Sequence, residues 1–382
     1  MSGSFPTGTS PGGTAGTATG AAPGTSGQNA TMTTARAQEL AAQAKAEDAR
    51  QHRSTGSVLA QLTKTTTIGS TVDPTNNDSN PYGLDVAKVD AGPLHKGDLV
   101  ICNFNDNANV EGNGTTVVAL RPQAGSSPTH IAQNAALKGC TALAIAPNDN
   151  IWAAAFSANL NPIFQPSGTL VTTLAGGPWH GPFGQTFSPT AGPFGTAAFY
   201  ESNAGDGSIV RINITPNGFT EDVIATGFAV NGGKPGNILG PSGLQFDVQR
   251  DRLWIVDGAD NSLSVINFVS LVPAGGITVK GETFSGVAGV LGQRVFAGAP
   301  LNGPISSALL PGGNIVLGNT LDPDGTNLMV EISPTGSLVG TKNVDTGAAG
   351  AIFGMVATGT TDMDTQLYFN DDNANALEVL TH

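Results

Sequence analysis

The chain has 382 residues, 12% of them charged, with a formal net charge of -13 at pH 7. The charged fraction is about half of the ~25% usual for globular domains, and the acidic balance disfavours phosphate backbones and anionic membrane surfaces as partners. No apolar run approaches the ~18 residues of a membrane-spanning helix, so membrane insertion is not expected, and the opening "MSGSFPTGTS" has no basic segment followed by an apolar one, so no signal peptide is visible.

Residues 1–33 are Gly, Thr, Ser, Ala and Pro with almost no large apolar side chain. They bury too little surface to offset the entropy of ordering, which predicts a disordered tail. Residues 34–63 predict a helical linker. "TARAQELAAQAKAEDARQHR" is rich in helix formers but carries only Leu40 as a large apolar residue, so no core role is expected for it. "SVLAQLTK", from Ser57 to Lys64, extends this helix or docks it.

From Lys64 onward, short runs of Val, Ile, Leu and Phe alternate with turn residues. The stretch "PSGLQFDVQRDRLWIVDGADNSLSVIN", starting at Pro241, recurs in outline. Copies start near Asn80, Cys140, Gly181, Gly303 and Ala351, each with a lead-in rich in Gly or Pro, then three strands separated by a turn and a polar loop. A further strand follows most copies: "GTLVTTLAG" from Gly168, "GFTEDVIATG" from Gly218, "GETFSGVAG" from Gly281 and "GSLVGTKNVDTG" from Gly336. "PTHIAQNAA", from Pro128, is a poorer candidate for the same place. The last copy has no further strand, whereas "KTTTIGSTV" (Lys64 to Val72) stands alone before the first. If that strand completes the last unit, a ring closes. Six units over roughly 320 residues give about 53 each, close to the ~40–50 of propeller blades. The expected fold is therefore all-β: a six-bladed β-propeller of four-stranded blades over 64–382, closed by its N-terminal strand. Inner strands such as "LWIV" and "LVIC" need not alternate, because a blade packs through both faces.

Pro241, Gly243, Asp247, Asp257 and Asn261 fall in the order of an NHL repeat, which the stretch resembles. "NPYGLDV" keeps the first half of that pattern and "LYFNDDNANALEVL" the second. The resemblance runs from about Lys64 to the end. It implies an NHL- or TolB-like six-bladed propeller, and the chain is similar to secreted bacterial NHL-like proteins.

In such blades the loop after the second strand and the lead-in to the next blade share one face, the top. The top loops hold Asp106, Asp206, Asp257 with Asp260, Asp322 with Asp324, and Asp371 with Asp372. These residues suit turns; they also suit a face that attracts cations, with Ca2+ held by oxygens and Asp257 and Asp371 as the candidate metal ligands. "DPDG" (Asp322 to Gly325) begins like a calcium loop but lacks its distant Glu. "GGPWHGPFG" places Trp179 and His180 on the top face, where a packed Trp with a surface His, or a ligand-stacking lip joined by Tyr82, both fit. The six lead-ins offer Tyr82, Thr141, His180, Ser242, Asn302 and Phe353, with one His and no Glu, which argues against a three-His zinc site.

The two cysteines, Cys102 and Cys140, have no zinc-site spacing. They are two buried thiols or one disulfide, and blade packing is expected to bring them close. No catalytic residue is assigned. The expectation is an extracellular or cell-envelope, non-catalytic binding or interaction propeller. It takes a protein or small-molecule ligand at Tyr82, Trp179 and His180, with Ca2+ as the one candidate cofactor. The location rests on low charge density and an Asn/Thr-rich surface. The alternative is a divalent-cation-dependent hydrolase or lyase, lactonase-like, at the channel mouth, drawing on Asn103, Asp257 or Asp371.

Overall fold

The computed structural model describes residues 31–51, 56–189 and 197–382, so most of the expected tail lies outside the described residues. Six sheets follow the repeats. Blade one is Ser79–Val86, Leu99–Asn105, Thr116–Leu120 and Thr129–Gln133. Blade two is Cys140–Ile145, Ile151–Ala155, Asn161–Phe164 and Leu170–Leu174. Blade three is Pro182–Ser188, Ala198–Asn203, Ser208–Thr215 and Gly218–Thr226. Blade four is Pro241–Asp247, Arg252–Asp257, Ser262–Asn267 and Gly292–Ala297. Blade five is Pro304–Leu309, Ile315–Asn319, Asn327–Ile332 and Leu338–Asp345. Blade six is Ile352–Thr358, Gln366–Asp371 and Ala376–Thr381, completed by Lys64–Ser70. Lys64 pairs with Thr381 and Ser70 with Ala376, so the ring closes as the sequence predicts.

The Pro-x-Gly pattern has a packing cause. Pro81, Cys140, Pro182, Pro241, Pro304 and Ile352 begin the inner strands at equivalent places, opposite Asn103, Ala155, Asn203, Asp257, Asn319 and Asp371. A register break follows each. Two residues on stand Gly83, Ala142, Gly184, Gly243, Ser306 and Gly354. A Cβ at Gly184 would lie 1.6 Å from Ser242 O, and one at Gly354 2.3 Å from Tyr82 O. Inner strands of adjacent blades thus meet backbone to backbone around the axis, and glycine is needed there for close approach. Outside them, the second strands are buried almost throughout. Each is sandwiched between neighbouring blades, which accounts for their unbroken apolar runs.

Two expectations are corrected. Gly281 does not open the fourth strand of blade four. Residues Ile277–Lys280 and Thr283–Ser285 form a hairpin that extends blade three through Ala225 and Thr226, and Gly292–Ala297 pairs with Ser262–Asn267 instead. The helix α1, Thr34–Gln51, is also more than a linker. Ala37 and Leu40 join a core cluster with Leu253, Val269 and Leu291, and Ala44 is buried. Small residues let this helix lie close to the blades. The buried Arg252 bonds Asp48 at 2.5 Å and the Ala44 carbonyl at 3.3 Å. A short helix, α2 (Val58–Gln61), follows; the Glu331 carboxylate accepts from Ser57 Oγ and from the amides of Val58 and Leu59. Cys102 and Cys140 are disulfide-bonded with Cα atoms 6.0 Å apart, joining the second strand of blade one to the first of blade two. No described helix is long and apolar enough to cross a membrane.

Candidate functional site

The top-face end of each second strand is fastened by an Asx side chain in most blades. Asn203 donates to Pro178 O and accepts from His180 N; Asn319 donates to Pro300 O and accepts from Asn302 N. Asn103 donates to Thr71 O. Asp257 sits at the same place and accepts from Ala229 N at 2.9 Å and from Ala259 N at 3.0 Å. Asp371 accepts from Ala374 N. Asp371 serves its own loop, Asp257 ties its loop to the link that enters blade four, and the two lie in blades four and six rather than side by side. Among the described residues no three His, Cys, Asp or Glu side chains stand where they could hold one metal ion.

Trp179 is buried with Trp152, Phe199 and Leu174 between blades two and three, so it presents no stacking lip. His180 is exposed, its Nε2 3.9 Å from Asp206 Oδ2. Neither lines the channel mouth. In blades three and five the residues equivalent to Tyr82 are Phe183 and Ile305, not His180 and Asn302, since both follow the proline that opens the strand.

The axis has a waist of about 60 Å³ lined by the inner strands. Above it opens a cavity of about 500 Å³ at the top face. Its floor is Tyr82, Phe104, Phe183, Ile305 and Phe353. The Tyr82 ring stacks on Phe104 at 4.2 Å and on Phe353 at 4.0 Å between centroids. Residues 229–239, the link between blades three and four, form a strap over part of this mouth. Asn231 Oδ1 accepts from Gly233 N and Leu239 N, which folds the strap on itself. Ile238 packs onto the aromatic floor. At the far side the strap meets blade one: a Cβ at Gly112 would lie 2.9 Å from Pro235 Cβ, and one at Gly236 3.0 Å from Glu111 Cγ.

Glu111 and Asp372 also line the cavity. Burial, then the charges of Glu111 and Asp371, pushes the Asp372 carboxyl up to about 7. Burial and the charges of Glu111 and Asp372 raise Tyr82 well above the ordinary phenol value. Asn80 lines the cavity too, with its Oδ1 buried and without a hydrogen-bond partner among the described residues. Glu111, Phe104, Phe183 and the strap were not assigned from the sequence. The repeat of Pro-x-Gly marks Phe183, but nothing local marks which loop reaches the axis.

Comparison with known proteins gives a fold. No protein-family model matches the chain, and no curated protein matches it. Among solved structures, the aldose sugar dehydrogenase from Streptomyces coelicolor, in its PQQ-bound form, is 16% identical over 83% of this chain and 98% of its own, with a TM-score of 0.51. A chain of a nidogen/laminin complex is 14% identical over 75% and 87%, with a TM-score of 0.50. The chain is a six-bladed β-propeller. Virginiamycin B lyase from Staphylococcus aureus is 17% identical over 83% and 85%, at a TM-score of 0.49.

Several buried acids set a pH dependence. Burial pushes Glu201 up to about 8, against the bonds it accepts from Asn161 and Gln185. Burial also raises Asp257 to about 7, and Asp251 and Asp371 to about 6. An acid with a raised folded pKa holds its proton more tightly when folded. Its stabilising effect is complete below about pH 4 and is lost as pH rises through the folded value. The bonds holding Asp73 and Asp106 low act oppositely, and are lost only below the ordinary carboxylate range. The melting temperature is therefore expected to fall between pH 5 and pH 8. Glu201→Gln, whose amide oxygen still accepts both bonds, should flatten the upper part of that slope. A melting temperature that climbs steadily to pH 8 would refute this.

Proposed function

We propose that the chain is a non-catalytic binding propeller that takes a ligand with an apolar body into the top-face cavity. The observation that carries this is the cavity's make-up. An aromatic floor and an apolar rim residue, Leu321, bound a space of about 500 Å³ whose walls add Asn80, Glu111, Asn231, Asn237, Thr320 and Asp372, so an apolar base lies beside groups that can orient a ligand. Its lining residues include no His, Cys, Ser or Lys, and its one threonine hydroxyl, on Thr320, donates to Gly303 O rather than to a carboxylate. The ligand-binding role passes from Trp179 and His180 to Tyr82 with its neighbours. A lactonase-like hydrolase or lyase using Ca2+ is less well supported, because Asp257 accepts hydrogen bonds from the backbone amides of Ala259 and of Ala229 in the strap, and Asp371 from that of Ala374. The NHL-like reading of the repeats is supported by Pro-x-Gly and by the Asx fastening. The disulfide supports a location outside the reducing cytoplasm.

The test is a thermal-shift screen of aromatic fragments and of Ca2+. Fragments are expected to raise the melting temperature of the wild type but not of Ala349→Trp, which fills the mouth from an exposed lining position. A shift that survives Ala349→Trp puts the site elsewhere. A Ca2+ shift lost in Asp257→Ala would favour the cation-dependent enzyme instead.

A further inference from the structure

We infer that the top-face cavity receives a cationic hydrogen-bond donor, an ammonium or guanidinium group, carried on the apolar body that the aromatic floor accommodates. This rests on the binding proposal above and names the chemistry of its ligand. Three independent features point the same way. First, the cavity's polar side chains include two carboxylates without a counter-charge. Neither Glu111 nor Asp372 forms an ion pair among the described residues. The carboxylate of Asp372 accepts no hydrogen bond there, while Glu111 accepts one, from Asn105 Nδ2 at 3.1 Å. Two like charges facing one partly desolvated space repel each other, and burial first, then the charges of Glu111 and Asp371, raises the Asp372 carboxyl. A bound cation removes that repulsion.

Second, two of the cavity's neutral polar side chains, Asn80 and Tyr82, carry an oxygen without a partner among the described residues, whereas Asn231, Asn237 and Thr320 are bonded within the protein. Asn80 is nine-tenths buried, and its Oδ1 has no donor. Its backbone is held by Asn375, whose Oδ1 accepts from Asn80 N at 2.8 Å. The Tyr82 hydroxyl, on a side chain equally buried, makes no hydrogen bond among the described residues and feels the charges of both Glu111 and Asp372. A buried acceptor without a donor, as Asn80 Oδ1 is, is costly, and a group with several N–H donors can serve both side chains. Third, the floor is made of aromatic rings, Tyr82 stacked with Phe104 and Phe353, and Phe183, and an uncovered ring face attracts a cation. A metal ion suits the site less well, since no three metal-ligating side chains converge among the described residues. The net charge of -13 concentrates cations at the surface.

The group belongs to a free amine or to a side chain of a partner, and the experiment separates the two. Titration calorimetry at pH 8 compares benzylamine, benzyl alcohol and phenylacetate, which share a ring and differ in charge, and adds N-acetyl-arginine amide as a side-chain mimic. Benzylamine or the arginine amide is expected to bind at least about tenfold more tightly than benzyl alcohol, with phenylacetate weakest. Asp372→Asn and Glu111→Gln are each expected to bring the benzylamine to benzyl alcohol ratio down toward one. Circular dichroism melts of both variants confirm that they fold. Binding of the arginine amide alone assigns the group to a partner's side chain. Equal binding of benzylamine and benzyl alcohol overturns this inference and leaves the binding proposal standing. Absence of binding by all four probes overturns both.

Discussion

Deleting residues 1–72 is expected to abolish the cooperative melting transition, whereas deleting residues 1–55 should lower its midpoint by only a few degrees. The strand Lys64–Ser70 is the outer strand of blade six, yet it also makes the joint with blade one. Thr67 Oγ donates to Glu378 at 2.8 Å, and Thr71 N donates to Asn375 O. Ile68 lies in one buried cluster with Leu377 and Val379 of blade six and Leu99, Ile101 and Val118 of blade one. Gly69 passes so close to blade one that a Cβ there would lie 2.0 Å from Ser126 O. Without this strand, Ala376–Thr381 becomes a bare edge next to an uncovered apolar seam, an arrangement prone to mispairing. The shorter deletion removes α1 and leaves closure intact. Its cost is mostly the packing of Leu40 and its neighbours, about 2 kcal/mol for one buried leucine. Arg252 then meets water rather than a stranded burial, since α1 is what covers it. Circular dichroism melts of both truncations decide the matter. A cooperative transition in the 1–72 deletion close to that of the 1–55 deletion would show that the ring does not depend on its closing strand.

The blades were legible because they rest on short-range patterns. An apolar run bounded by Asp, Gly and Asn states where a strand leaves the sheet, and six such runs state the period. The orphan strand at Lys64 was legible by subtraction. What escaped depends on how blades are rotated against one another. The segment around Trp179 looks like a loop tip, and only the gap between blades two and three shows that the indole turns inward, where Gly177 leaves it room. The lead-ins of blades three and five were each placed three residues too early, at His180 and Asn302 rather than Phe183 and Ile305. The register break after each opening proline cannot be read from hydrophobicity. In α1, alanines pack where larger residues were sought, and the charge on Arg252 that anchors the helix lies more than two hundred residues downstream. The site itself joins Asn80, Glu111, the strap and Asp372 from loops of different blades. No local pattern announces that these loops share a mouth.

Removing the disulfide is expected to cost about 4 kcal/mol, because the bond closes a loop of 38 residues in the unfolded chain. With unfolding entropy of about 2.1 cal/mol/K per residue, that is a fall of about 5 °C in the midpoint of the ring. The appropriate variant is Cys102→Ala with Cys140→Ala, since a single change leaves a reactive buried thiol. Both sulfurs are fully buried among Val100, Val117, Leu143 and Phe164, so the loss is one of covalent restraint with a small packing cost added. Burial also separates this prediction from one about surface cysteines. Reductant should leave the folded protein unchanged and act only as it unfolds, so that the wild type in reductant refolds with the variant's midpoint. Thiol titration of the unfolded, unreduced protein should find none free, and two after reduction. Two free thiols before reduction, in protein made in an oxidising compartment, would show that the bond does not form. The joint between blades one and two would then rest on the close approach of Gly83 to Ala142 and Leu143.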